Sequence, residues 1–150
     1  RDPEMRKRFL AEFGDEPTKS PEEYRQEVDC LFDQHTQEYP VVTGAIDFSQ
    51  LTDLAERYRE NAKYKQAAAV YRGLSEGIAE NMNLVDGAYD HYAQTFQSAL
   101  DGYVECVTEA DLHGETFNDH VDYLDERTDE AVEYLSRQYE TARDELEAKR

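Results

Sequence analysis

Residues 53–74 read DLAERYRENAKYKQAAAVYRGL, with tyrosines at 58, 64 and 71 and alanines packed between them. Leu51, Leu54, Ala55 and Tyr58 recur at helical spacing and share one face. Asn61 is placed to end that helix, and a second carries Tyr64, Ala67, Ala68, Tyr71, Leu74 and Ile78. Small alanines at 55 and 67 let two antiparallel helices approach closely. The tyrosines fill space beside them and keep their hydroxyls near water. A helical hairpin is therefore expected here, and the fold class is expected to be all-α.

The same pattern extends in both directions. Upstream, Ser20, Pro21 and Glu23 match an N-cap, an N1 proline and the reciprocal carboxylate of a capping box, ahead of the stripe Tyr24, Val28, Leu31 and Phe32. Pro40 ends that helix, and PVVTGAI has strand-like composition but no partner strand, so it reads as a packed loop. Asp47 is placed to cap the next helix, with Gln50 at N3 and Ile46 stapled onto Leu51. Downstream the apolar ladder runs through Val85, Tyr89, Tyr92, Phe96, Leu100, Tyr103 and Val107. The poor helix formers Asn81, Asn83, Asp86 and Gly87 predict a break before it. Gly114 is expected at a C′ position with His113 near the carbonyl end. From Thr116 to Glu147 the stripe is Phe117, Val121, Leu124, Val132, Leu135, Tyr139, Ala142 and Leu146. Thr128 lies in its seam, leaving one long helix or two short ones open. Residues 1–19 read as a tail in which EMRKRFLAEF makes about two turns, and residues 20–150 as a single helical domain.

The hairpin resembles one tetratricopeptide (TPR) repeat, in which Leu51, Leu54, Ala55 and Tyr58 match the first helix and Ala67 and Tyr71 the second. The turn glycine of that motif is Ala62 here, and its closing proline is Ala79. A second repeat should follow after about 34 residues, but Asp101 stands where the small alanine belongs. Five to seven antiparallel helices in a short TPR-like solenoid or an irregular bundle are the expected architecture.

Charge restricts the partners. Thirty-five acids against 16 bases give a net charge of −19, of which residues 76–150 carry −15. Residues 20–150 are therefore expected to make no direct contact with nucleic acid, because such binding rests on neutralising phosphates. Two readings of the acidity compete: a surface adapted to high salt, which favours a halophilic cytoplasm, and an acidic face for a basic partner. Arg6, Lys7 and Arg8 form the one basic cluster. No run of about 18 apolar residues is present, so no membrane span is expected. The chain starts at Arg1 without an initiator Met and reads as a fragment. Cys30 and Cys106 have apolar neighbours at helical spacing and no metal-binding spacing, so both are expected as buried free thiols.

No motif for catalysis emerges. His113 and His120 lie near Glu115, Asp119 and Asp122, but they lack the HExxH or facing ExxH pairs that helical metal sites use. Asp90 and His91 are adjacent on a helix and point about 100° apart, so they do not converge. There is no phosphate loop, nucleophile elbow or Cys–His pair. The 11 tyrosines are expected mainly in the core, with Tyr64, Tyr89 and Tyr92 available to surround a groove.

The stretches AIDFSQLTDLAERYRENAKY and AAVYRGLSEGIAENMNLVD resemble the helical region that follows a SWIM-type zinc finger in haloarchaeal proteins, over residues 20–145. The finger's own CxCx(n)CxH set is absent from this chain. The resemblance implies a zinc-binding module outside these residues, with DNA or protein binding assigned to that module. The resulting expectation is a non-catalytic interaction or scaffold domain, cytoplasmic, without cofactor or metal, that holds a protein partner or another copy of itself. Its peptide groove is expected on Ser49, Thr52, Glu56 and Arg59. A regulatory domain attached to a zinc-finger nucleic-acid binder is one alternative. A metal-binding or hydrolytic helical enzyme using His113, His120 and Asp122 is the other.

Overall fold

The first helix begins at its capping box. Glu23 N–H donates to Ser20 Oγ at 3.3 Å, and Ser20 N–H donates to Glu23 Oε1 at 3.1 Å. A computed structural model describes residues 19–36, 40–110, 114–130 and 133–149. Within these lie six α-helices: α1 (Pro21–His35), α2 (Ser49–Glu60), α3 (Tyr64–Asn81), α4 (Tyr89–Glu109), α5 (Gly114–Glu130) and α6 (Glu133–Ala148). A 3-10 turn, Met82–Leu84, follows α3. The tail helix, the basic cluster at 6–8, His113 and Val132 fall outside the described residues.

The arrangement is an all-α bundle around α3, which packs against α1, α2 and α4. Its sequence explains that position. An unbroken run from Gln66 to Tyr71 is buried, together with Gly73, Leu74, Ser75, Gly77 and Ile78. A helix enclosed on several sides must be small or apolar nearly all round. Helix α1 runs parallel to α3 and touches it backbone to backbone. A Cβ built on Gly77 would lie 2.5 Å from Val28 Cβ, and one on Gly73 would lie 2.6 Å from the Pro21 carbonyl oxygen. Gly102 of α4 likewise leaves room for the Tyr71 ring, 2.6 Å from where its Cβ would be. The expected hairpin seam is present, with Ala55 and Ala67 fully buried. Asn61 is the C-cap of α2.

The break after Asn81 is real, and the connector from 40 to 48 packs beside it. Val42 N–H donates to Leu84 O at 2.7 Å and Asp86 N–H to Val42 O at 2.8 Å, a single parallel bridge between Val42 and Val85. The loop thus has a one-residue partner that its isolated composition did not predict. Tyr92 fastens it further, donating to Gly44 O at 2.7 Å and accepting from Ile46 N–H at 3.1 Å.

The final segment is two helices. Arg143 pairs with Asp125 at 2.5 Å, Arg127 donates to Tyr139 Oη at 3.4 Å, and Ser136 Oγ donates to Thr128 O at 2.6 Å. The partners draw together in sequence from 125 and 143 to 128 and 136, so α5 and α6 are antiparallel. Thr128 lies inside α5, its hydroxyl donating to Leu124 O at 2.9 Å.

Four expectations need correction. Cys30 is exposed, because it sits on the side of α1 away from Val28 and Phe32; Cys106 is buried. Tyr89 is 55% exposed at the start of α4, outside the apolar ladder. Gly114 opens α5, whereas α4 ends at Glu109 with Ala110 as its C-cap. Helix α2 begins at Ser49 with Phe48 as its N-cap, one residue beyond the expected Asp47, whose Oδ1 accepts from Ser49 N–H at 2.9 Å.

Candidate functional site

A polar cluster lies where α3, α4 and α5 meet. Arg72 of α3 donates through Nε to Glu76 at 2.9 Å, one turn along the same helix. Tyr123 of α5 donates to the same carboxylate oxygen at 2.6 Å, and the guanidinium lies 3.8 Å from the centre of its ring. Arg72 is thus held by an ion pair and a cation–π contact together. Burial pushes the Tyr123 phenol well above its ordinary pKa, so it is a donor at any physiological pH.

Tyr103 of α4 and His120 of α5 form the other half. The phenol is hydrogen-bonded to His120 Nδ1, and the rings meet edge to face at 5.5 Å. Burial raises the Tyr103 pKa. Burial first, and the nearby Arg72 charge second, lower that of His120, so the imidazole is neutral at pH 7. A buried phenol proton requires an acceptor, and Nδ1 is the only one that Tyr103 has among the described residues. Tyr103 therefore donates, and His120 carries its own proton on Nε2.

Arg72, Tyr103 and His120 border a pocket of about 290 Å³. Ala68, Ala69, Cys106 and Val107 supply its apolar wall, and Lys65, Arg72 and His120 its polar groups. Burial pushes the Cys106 thiol up to about 12, so it is a packing group and not a nucleophile.

A second recess, of about 220 Å³, lies between α1 and the start of α2. Leu31, Phe48 and Leu51 form its apolar wall, with Cys30, Glu27 and Asp47 around it. Hydrogen bonding from Ser49 holds the Asp47 carboxyl below its usual range.

The groove residues read from sequence follow one side of α2, where Ser49 and Glu56 are exposed and Thr52 and Arg59 half-buried. Arg59 is engaged across the bundle, 2.8 Å from Glu105 and 2.9 Å from Glu109. His91 is also occupied, with Nε2 2.6 Å from Ile46 O and its ring stacked on Phe48. Among the described residues no group of three or more His, Cys, Asp or Glu is arranged to hold a metal ion. Asp122 is exposed, while His120 is committed to Tyr103.

Arg72, Glu76, Tyr103 and Tyr123 were not singled out by spacing as a polar cluster. The available sign was Lys65, Ala68, Ala69, Arg72 and Glu76 recurring on one face of α3. No helix of the described residues is long and apolar enough to cross a membrane. Compared with known proteins, the chain matches no family model, and no significant match occurs among curated proteins or solved structures.

Proposed function

We propose that this chain is a non-catalytic interaction domain that holds a basic, apolar-anchored segment of a partner protein in the recess between α1 and α2. The observation that carries this reading is the recess itself, an apolar wall of Leu31, Phe48 and Leu51 bordered by the carboxylate of Asp47 and by that of Glu27, which is shared with Lys19 at 2.9 Å. None of Ser49, Thr52, Glu56 and Arg59 lines it; from that part of the chain the recess takes Asp47, Phe48, Gln50 and Leu51. A chain with a net charge of −19 attracts a basic partner and repels a second copy of itself at low salt.

The same acidity fits a surface adapted to a salt-rich cytoplasm, where screening over a few ångströms removes the self-repulsion. The resemblance to the SWIM-associated helical region is compatible with this role, placing an interaction domain beside a nucleic-acid-binding finger.

The test is site-specific photo-crosslinking in the native cell, with the reactive group at the exposed Gln34 position of the recess. One predominant partner is expected, captured through a lysine- or arginine-rich segment and lost when Leu31→Asp is introduced. Capture that survives Leu31→Asp, or crosslinks only to other copies of this chain, overturns the proposal.

A further inference from the structure

The pocket between α3, α4 and α5 differs in character from the rest of the surface. Acids make up 35 of the 150 residues, yet no carboxylate stands among the described residues that line it. The charged groups it presents are Lys65 and Arg72. Lys65 makes no ion pair or hydrogen bond among the described residues, although carboxylates abound in the chain. Arg72 commits only Nε, to Glu76, which leaves both terminal nitrogens without a hydrogen bond among those residues. The stack on Tyr123 fixes the plane of that guanidinium. His120 adds an N–H donor, because Nδ1 is occupied by Tyr103. The opposite wall is apolar, and its alanines leave a space that longer side chains would fill.

We propose that this pocket binds a small carboxylic acid, its apolar body against Ala68, Ala69, Cys106 and Val107 and its carboxylate on the terminal nitrogens of Arg72, with Lys65 and His120 beside it. A planar guanidinium with two free donors matches a carboxylate in the bidentate manner that an ammonium cannot. Excess negative charge elsewhere does not exclude such a ligand, since screening confines those repulsions to short range at physiological salt and above. The neighbouring polar recess, where Arg72 meets Glu22, Arg25 and Glu76, is a poorer place for an anion because two carboxylates line it. This site is separate from the α1–α2 recess, and neither proposal depends on the other.

The experiment is a titration of the whole chain, followed by amide NMR shifts, with benzoate and 2-naphthoate. 2-Naphthamide serves as the neutral isostere and 2-naphthylmethylamine as the cation. Saturable shifts confined to the segments around residues 65–72 and 103–110 are expected with the carboxylates. The amide should bind about ten-fold more weakly, the difference a charge-assisted bidentate contact makes. Lys65→Gln, at an exposed and unpaired position, should weaken 2-naphthoate about three-fold. Ala68→Leu should abolish binding by filling the space. Arg72→Lys, checked for folding by circular dichroism, should weaken it about ten-fold because the charge remains but the fork is lost. Equal binding of acid and amide, tighter binding of the amine, shifts mapping elsewhere, or no saturation by either acid overturns the proposal. If Arg72→Lys or Ala68→Leu does not fold, the amide comparison and Lys65→Gln decide it.

Discussion

On the face of α3 that meets α1, Gly73 and Gly77 bring two backbones together so closely that a methyl group has no room. On the neighbouring face, Ala68 and Ala69 carry only a methyl each, and the space beside them stays open and is bordered by Arg72 and the Tyr103–His120 pair. Small residues therefore serve two ends in one helix. Where the opposing helix is drawn in, they permit contact. Where Arg72, Tyr103, Tyr123 and His120 stand between the helices, polar and aromatic groups hold them apart and a pocket remains. The first seam gains dispersion contacts along its length, and the second exchanges some of them for positioned donors.

The largest effect should come from closing the first seam. Gly73→Ala would normally favour a helix by about 1 kcal/mol. Here its new methyl meets Tyr24 Cβ and the Pro21 carbonyl, and backbone cannot swing aside as a flexible side-chain end can. Gly77→Ala meets the Val28 side chain at its Cβ, 2.5 Å away, a branch point that rotation of the side chain does not move. Each is expected to lose about 2–3 kcal/mol, read by urea unfolding in molar salt. A gain in either variant would mean the helices are not in backbone contact, and the contrast between the faces would fail.

The second seam is predicted to respond to pH where the first does not. The folded-state pKa of His120 lies below its unfolded value, because burial and Arg72 disfavour the imidazolium. Between the two values the unfolded chain binds more protons, so stability rises with pH. The contribution of neutral His120 is complete above about pH 6.5 and is lost as pH falls below it. Protonation also removes the acceptor that Tyr103 uses. Unfolding free energy should therefore drop on going from pH 8 to pH 5.5, and His120→Gln should flatten that slope. An unchanged slope in the variant would place the proton uptake elsewhere.

The helices and their limits were largely legible in the sequence, since a capping box, an apolar period and a cluster of poor helix formers are local features. Ser20 with Glu23, Asn61, and the break after Asn81 are examples. Features that depend on which helices become neighbours were not legible. Tyr103 and Tyr92 both read as ladder residues, and nothing local shows that one bonds His120 and the other the 44–46 loop. The apolar neighbours of Cys30 point to the core, but helical phase turns it outward. The glycines at 73 and 77 carry a helix–helix contact, and their four-residue spacing is its one local sign. The groove on α2 drew on residue type alone, and one of its members, Arg59, is engaged with α4.

A third use of a small residue tests the turn that feeds α3. Ala62 has φ 58°, the left-handed conformation that costs a residue with a Cβ about 1–2 kcal/mol. Glycine, with no Cβ, adopts this conformation without that cost. Ala62→Gly should raise stability by about 0.5–1 kcal/mol once the greater freedom of the unfolded glycine is subtracted. A loss would mean that the Ala62 methyl makes a contact worth more than the backbone strain.

The smallest expected change is the one that separates the two faces most directly. Ala68→Leu adds three carbons on α3, three times what Gly73→Ala adds, but toward the pocket of about 290 Å³ instead of toward α1. Leucine is nearly as good a helix former as alanine, so propensity is almost unchanged. The new side chain gains apolar contacts with Cys106 and Val107 and gives up rotamer freedom, two terms of similar size and opposite sign. Stability should stay within about 0.5 kcal/mol of the parent chain, measured in the same unfolding experiment as the glycine variants. A loss as large as theirs would mean that the space beside Ala68 closes in solution. The two faces of α3 would then be alike, and the polar groups between α3 and α5 would be buried without a pocket to serve.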